Sequence, residues 1–475
     1  MTQYLIALVD NAMEEYHYET ATLALDQLRS KKFKPHPPHI RQLVYLSLFS
    51  ISILSDKSKE YQGTSVPSTP SKMPRQTRTN LLPSSDSITA ARRLLIAFGI
   101  SHFPDDIFRA LPAYRDLPPP FWQNESSMDS DIARAALAIK DCKTCWNFLT
   151  DSFMERKMSM LMSPRKKRGR GAREDDYDGI AIVNDGPKAP VGPNAWPVLE
   201  WLIDLFEKDE LCNQAKESGG LYSPHLLAQI PPARNGSARW EVHLPLDIAF
   251  YCFEQVDERK RRIGRRLLTM LINLTATTQI DIGILVDALI TRMKTLSVDQ
   301  VADLFPGIGN SRVVTNFKFL TCRKYLQDQT GMSGTAVCSS SKTLVRPRAA
   351  RPRALRKGTA PVPASGPASV PIIASLADTS MRVQPVRLPL AQDVIHLIEQ
   401  PASSDASPAE FARRMKFELL TAFNLLHSLQ EEQDPEWQRL VSTGAVSAAA
   451  ARAFGESSPL TRAVKCLLPE PSAGS

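Results

Sequence analysis

Apolar residues in this chain recur at three- and four-residue spacing wherever they cluster and rarely alternate. That period limits the fold to packed helices. In "TQYLIALVDNAMEEY" Leu5, Leu8, Val9 and Met13 share one face, and Leu23, Leu25 and Leu28 follow in "ETATLALDQLRS". Further along, Trp196, Leu199, Leu202, Ile203 and Phe206 line one side of "AWPVLEWLIDLFEKDELCNQ". The expected class is all-α: helical hairpins stacked as a repeat-like or irregular α-solenoid, with long disordered linkers. No fixed sequence period is visible, so no repeat family is assigned.

The 36 prolines gather in a few stretches, and these divide the chain. Residues 1–55 read as an N-terminal segment of three helices. Residues 56–85 read as a disordered Ser/Thr/Pro-rich loop. Residues 86–162 read as a helical segment packing with 1–55, with Asp86 or Ser87 as its first cap and Gly99 as a stop signal. A basic-then-acidic linker spans 163–194, and a second helical domain 195–338. Residues 339–387 are an Ala/Pro/Arg/Ser linker, expected to be disordered. Residues 388–452 read as a C-terminal helical segment, followed by a tail at 453–475. In that segment Ser407, Pro408 and Glu410 have the form of a capping box with proline at the first helical position. Phe411, Met415, Leu419, Ala422, Leu426 and Leu429 form a stripe behind it. Periodicity alone leaves two coverings open for this stripe: the chain's own core, or the groove of a protein partner.

Seven cysteines, an odd number scattered through apolar helical segments, argue against a secreted disulfide framework. The first residues carry early acids and no basic run, which does not fit a signal peptide. The longest apolar stretch, "LVYLSLFSISIL", is too short to span a bilayer. A soluble protein of a reducing compartment, with no membrane contact, is expected.

The segment "VADLFPGIGNSRVV" has the most specific local pattern. Part of it resembles the first motif of DNA cytosine-5 methyltransferases. That chemistry needs a cysteine after a proline and a Glu-Asn-Val motif, and both are missing. It also resembles a helix-hairpin-helix over residues 298–320, in which two short helices flank an apolar-Gly-apolar-Gly turn. The resemblance implies that Gly307, Ile308 and Gly309 bring backbone close to a DNA phosphate. Asn310 or Ser311 would cap the second helix, whose first N–H groups face the anion. Arg312 and Lys318 would add charge. Val313 stands where the family usually has a small residue. The other reading is a Pro-Gly turn packed in a core.

"SPRKKRGRGAR", Ser163 to Arg173, holds six basic residues and no acid. Arg165, Lys166, Lys167, Arg168 and Arg170 are expected to bind a nuclear import receptor. The Arg-Gly-Arg core resembles an AT-hook, without the proline that usually follows. "VRPRAARPRALRK" holds another six, of which Arg346, Arg348, Arg351 and Arg353 suit salt-dependent contact with phosphates. "ERKRRIGRR", Glu258 to Arg266, reads as a basic helix face or as the solvent side opposite Leu267, Leu268 and Leu271. Thr69 and Ser163 stand in proline-directed phosphorylation patterns, and a phosphate at Ser163 would weaken the adjoining basic field.

Catalytic patterns are lacking. Cys142 and Cys145 form a CxxC with no second pair of ligands, so they read as core cysteines. No Walker loop, HExxH or Gly-x-Ser-x-Gly is present. The expectation is a nuclear, non-enzymatic, chromosome-associated adaptor needing no cofactor. It would bind DNA non-specifically and engage a protein through Phe411, Met415, Leu419 and Leu426, in replication, repair or meiotic recombination. The alternative is a helical scaffold of a transcription or RNA-processing complex without direct DNA contact.

Overall fold

The computed structural model describes residues 2–30, 32–49, 83–114, 131–154, 189–216, 220–231, 241–277, 280–329, 388–401, 406–430 and 434–468. These residues are helical, with turns and short connections between, and no strand occurs among them. The fold is all-α, as the spacing predicts. Arg165, Lys166, Lys167, Arg168, Arg170, Arg346, Arg348, Arg351, Arg353, Thr69 and Ser163 lie outside the described residues.

The first helices are α1 (Thr2–Glu14), α2 (Tyr18–Leu28), α3 (Pro37–Ser47), α4 (Ser85–Ser101), α5 (Pro104–Phe108), α6 (Asp131–Lys140) and α7 (Cys145–Leu149). Helix α3 is central and packs on both α4 and α6. From Pro38 to Ser47 every residue is buried, so its polar groups must find partners inside. His39 Nε2 meets Asp10 at 2.8 Å, and Arg92 donates to the Ser47 carbonyl at 2.9 Å. The cap of α4 is Ser84, whose hydroxyl accepts from the Ser87 amide, rather than Asp86 or Ser87. Gly99 does not stop this helix. It lies inside it because a Cβ there would come 3.3 Å from Trp201 Nε1. Cys145, the first residue of α7, is fully buried, and Cys142, in the break between α6 and α7, partly so.

The next helices are α8 (Trp196–Gln214), α9 (Pro224–Leu227), α10 (His243–Phe253), α11 (Glu258–Leu274), α12 (Ile282–Met293), α13 (Val298–Gly307) and α14 (Arg312–Gln329). Helix α8 joins the first group to this one, touching α3, α4, α5 and α11. Helices α10 and α11 approach closely at Gly264, where a Cβ would sit 2.7 Å from the Ala249 carbonyl oxygen. The last group is α15 (Ala391–Glu399), α16 (Ala406–Ser428), α17 (Pro435–Ser442), α18 (Ala445–Phe454) and α19 (Pro459–Leu467). Helix α16 starts at Ala406, ahead of the Pro408 start that the sequence suggests. Residues 459–467, read from sequence as tail, form α19 with Thr461 and Val464 buried. One apolar cluster runs from Val9 to Leu468 through all three groups.

Within this core Glu210 is only 7% exposed and accepts from Asn273 Nδ2 at 2.7 Å. Burial, with Glu207 and Asp209 nearby, pushes its pKa up to about 7 against the pull of that hydrogen bond. A carboxyl raised in the folded state favours folding most below its unfolded pKa, and that contribution is lost as pH rises through the folded value. Glu210→Gln keeps an acceptor and removes the ionisation. The variant is expected to match the parent near pH 4 and to exceed it by up to about 3 kcal/mol at pH 8. Urea unfolding of both proteins across that range checks this, and parallel pH curves would refute it.

Candidate nucleic-acid interface

The glycine-rich segment forms two helices joined by a tight turn. Ser297 and Gln300 open α13 with a reciprocal capping box, at 3.2 and 2.8 Å. Helix α13 runs further than the motif suggests, through Pro306 to Gly307. Ile308 ends it and is 2% exposed, packed in the core instead of facing a ligand. Gly309 then takes φ +77°, a left-handed conformation in which a Cβ would be strained although the space around it is open. Ser311 caps α14, its hydroxyl accepting from the Val314 amide at 3.3 Å.

The five successive amides of Gly309, Asn310, Ser311, Arg312 and Val313 have no acceptor among the described residues. Gly309, Asn310, Ser311 and Arg312 are exposed. The amides stand at the start of an 18-residue helix, where backbone dipoles favour an anion. Arg312 adds a full charge.

Two other helices, α11 and α16, shape this turn together with α14 itself. The stem of Arg265, from α11, lies across Gly307, and a Cβ at that glycine would fall 2.2 Å from Arg265 Cδ. A side chain at Gly307 would have to displace the Arg265 stem. Thr269, one turn on, donates to the Ile308 carbonyl at 3.2 Å. Lys318 does not reach out either, and its place as a phosphate contact is corrected. It is 6% exposed, and its ammonium donates to the Gly309 carbonyl at 2.6 Å and to Asn310 Oδ1 at 2.9 Å. Burial lowers its pKa, against the pull of the Glu418 carboxylate from α16. Glu418 is buried too, and desolvation raises its pKa while Arg414 and Lys318 oppose the rise. Arg414 bonds Glu418 at 2.6 Å and donates to the Ala302 carbonyl of α13 at 3.3 Å.

The basic helix α11 is not a free cationic face. Helix α8 carries Glu200, Asp204 and Glu207 at i, i+4 and i+7, so the three acids form one stripe. Arg259 pairs with Glu200, and Arg266 with both Asp204 and Glu207, each at 2.6 Å. Arg261 and Arg265 both pair with Glu258. A groove of about 760 Å³ between α8 and α11 is lined by these charges. Arg262 is exposed and has no ion pair among the described residues.

The stripe on α16 is covered by the chain itself. Phe411 and Leu426 are nearly buried, and Met415 and Leu419 fully so. Helix α16 packs along α14, with Tyr325 against Phe411 at 5.0 Å and Phe319 against Phe423 at 5.6 Å between ring centroids. The expectation that these four residues face a separate protein is thus corrected: burying them against α14 removes the same apolar area from water. The i, i+4 pair Arg414 and Glu418 in the middle of that stripe was the available signal that α16 makes a specific polar contact as well.

Among the described residues no group of His, Cys, Asp and Glu is placed to hold a metal ion, and no helix is long and apolar enough to cross a membrane. No family model, curated protein or solved structure matches this chain.

Proposed function

We propose that this chain is a nuclear, non-enzymatic, chromosome-associated adaptor that holds DNA by its backbone. The observation that supports it is the run of five amides at residues 309–313 without an acceptor among the described residues, four of them on exposed residues, beside the Arg312 charge at a helix start. Such an arc takes one phosphate oxygen without reading bases. The basic runs at 163–173 and 345–357 supply further phosphate contacts and the import signal. The setting proposed is replication, repair or meiotic recombination.

A second reading has its own observation. Lys318 and four arginines of α11 are held by internal partners. That leaves fewer free side-chain charges around the turn and α11 for DNA and favours a helical scaffold in a nuclear transcription or RNA-processing complex.

Duplex binding across a salt series separates the two. The purified chain is expected to bind mixed-sequence duplex DNA with a strong salt dependence. Arg312→Gln, an exposed change, is expected to weaken binding at every sequence and to reduce the salt slope by about 1. No binding at low salt would favour the scaffold. An unchanged slope would leave the amide arc without a role.

A further inference from the structure

The buried contact between the hairpin and α16 has a use that neither apolar packing nor phosphate contact explains. Lys318, on α14, holds the turn at Gly309 and Asn310. Glu418, on α16, bonds Arg414 and lies within electrostatic reach of Lys318. Arg414 in turn holds the Ala302 carbonyl on the helix that enters the turn. The entering helix is therefore hydrogen-bonded to α16 through Arg414, and the lysine that holds the turn lies in the field of Glu418, on a helix that follows the hairpin by more than eighty positions in sequence, after residues 330–387. Helices α13 and α14 pack mainly on α16, α11 and α12 and make little direct contact with each other. Their relative angle depends on what fills the space between them.

We infer that Arg414 and Glu418 are positioning residues: the C-terminal helices set the geometry of the 308–313 turn, so that its anion-binding form exists only while α16 is docked. Buried charged groups are costly to leave unpaired, which makes such a clasp close fully or open, with little between. Docking of α16 and the hold on a phosphate are then two states of one element. A partner that displaces α16 loosens DNA. This rests on the reading of the amide arc as a phosphate site, and the test keeps the two apart.

The test uses the full chain, the nearly isosteric Glu418→Gln and the surface control Lys324→Met, which loses only an exposed pair with Asp287. Hydrogen exchange over residues 298–316 reads the hairpin, where the Val314 and Thr315 amides are bonded to Ser311. Binding of a mixed-sequence duplex reads the phosphate site. Glu418→Gln is expected to speed exchange over 298–316 about tenfold, leave residues 2–47 unchanged, and weaken DNA binding to the level of Arg312→Gln. Lys324→Met is expected to do neither. Unchanged exchange at 298–316 in a folded variant overturns the clasp. So does faster exchange with DNA binding intact. If the parent chain binds no duplex, the phosphate reading fails, and the exchange alone decides whether the clasp sets the turn. Should Glu418→Gln unfold the chain, Arg414→Lys takes its place, since it keeps the charge and withdraws the bond to Ala302.

Discussion

Phe423→Ala is expected to lower the unfolding free energy by about 3–5 kcal/mol, the range for truncating a fully buried aromatic that leaves a cavity. Phe423 has no exposed surface. It stands among Phe319, His427 and Trp437, with ring centroids at 5.6, 4.4 and 5.0 Å. These rings come from α14, α16 and α17, so one truncation loosens three helices. His427 shares the pocket, stacked on Trp437, and burial lowers its pKa. It therefore packs as a neutral ring. Urea unfolding should show the lower midpoint, and trypsin should cut the variant within α16 before the parent. A loss under about 1 kcal/mol would mean that the site collapses around the gap, and that α16 is held chiefly by its charged contacts.

Trp201→Ala is expected to cost a similar amount, about 3–5 kcal/mol, for a different reason. Trp201 is 2% exposed and joins two groups of helices across α4 and α8. Its indole N–H donates to the Leu95 carbonyl at 2.8 Å, and Gly99 leaves room for the ring. Nearby, Lys208 closes the end of α4 by donating to the carbonyls of Gly99, Ile100 and His102, at 2.8, 2.8 and 2.6 Å. Trp201→Phe keeps most of the packing and removes only the second hydrogen bond to the Leu95 carbonyl, which lies within α4, so about 0.5–1.5 kcal/mol of the loss should remain. Exchange of amides in α3 and in α11 should rise together in the alanine variant, because the apolar cluster is continuous. Independent unfolding of the two regions would show that α8 is a boundary and not a bridge.

How much of this was legible in advance differs from element to element. The helices α1, α2, α3, α8 and α16 follow from apolar spacing, because a helix that buries one face must repeat near 3.6 residues. Gly99 misled because a glycine reads alike whether it ends a helix or admits a neighbour's ring. Only the position of Trp201 separates the two. The hairpin was legible as a motif, and its Gly309 does take the left-handed turn that only glycine adopts freely. Lys318 was not legible. Nothing in "NFKFL" shows that the lysine turns back to its own turn instead of outward.

Charge pattern shows the same division. Nine residues from Glu258 to Arg266 look like a cationic face, yet α8 offers acids at matching spacing and takes up two of the arginines. Neither stripe names the other, since pairing across separate helices depends on how the chain returns. The sequence by itself determined that this protein is helical, where most of its helices lie, and that its turn at 308–311 needs a glycine. These are local properties of spacing and backbone conformation. Only the tertiary structure decided that the α16 stripe lies on α14, that Lys318 and four of the α11 arginines pair within the chain, and that five amides at 309–313 have no acceptor among the described residues. Those outcomes depend on which surfaces meet, and surfaces far apart in sequence meet through packing that no single segment encodes.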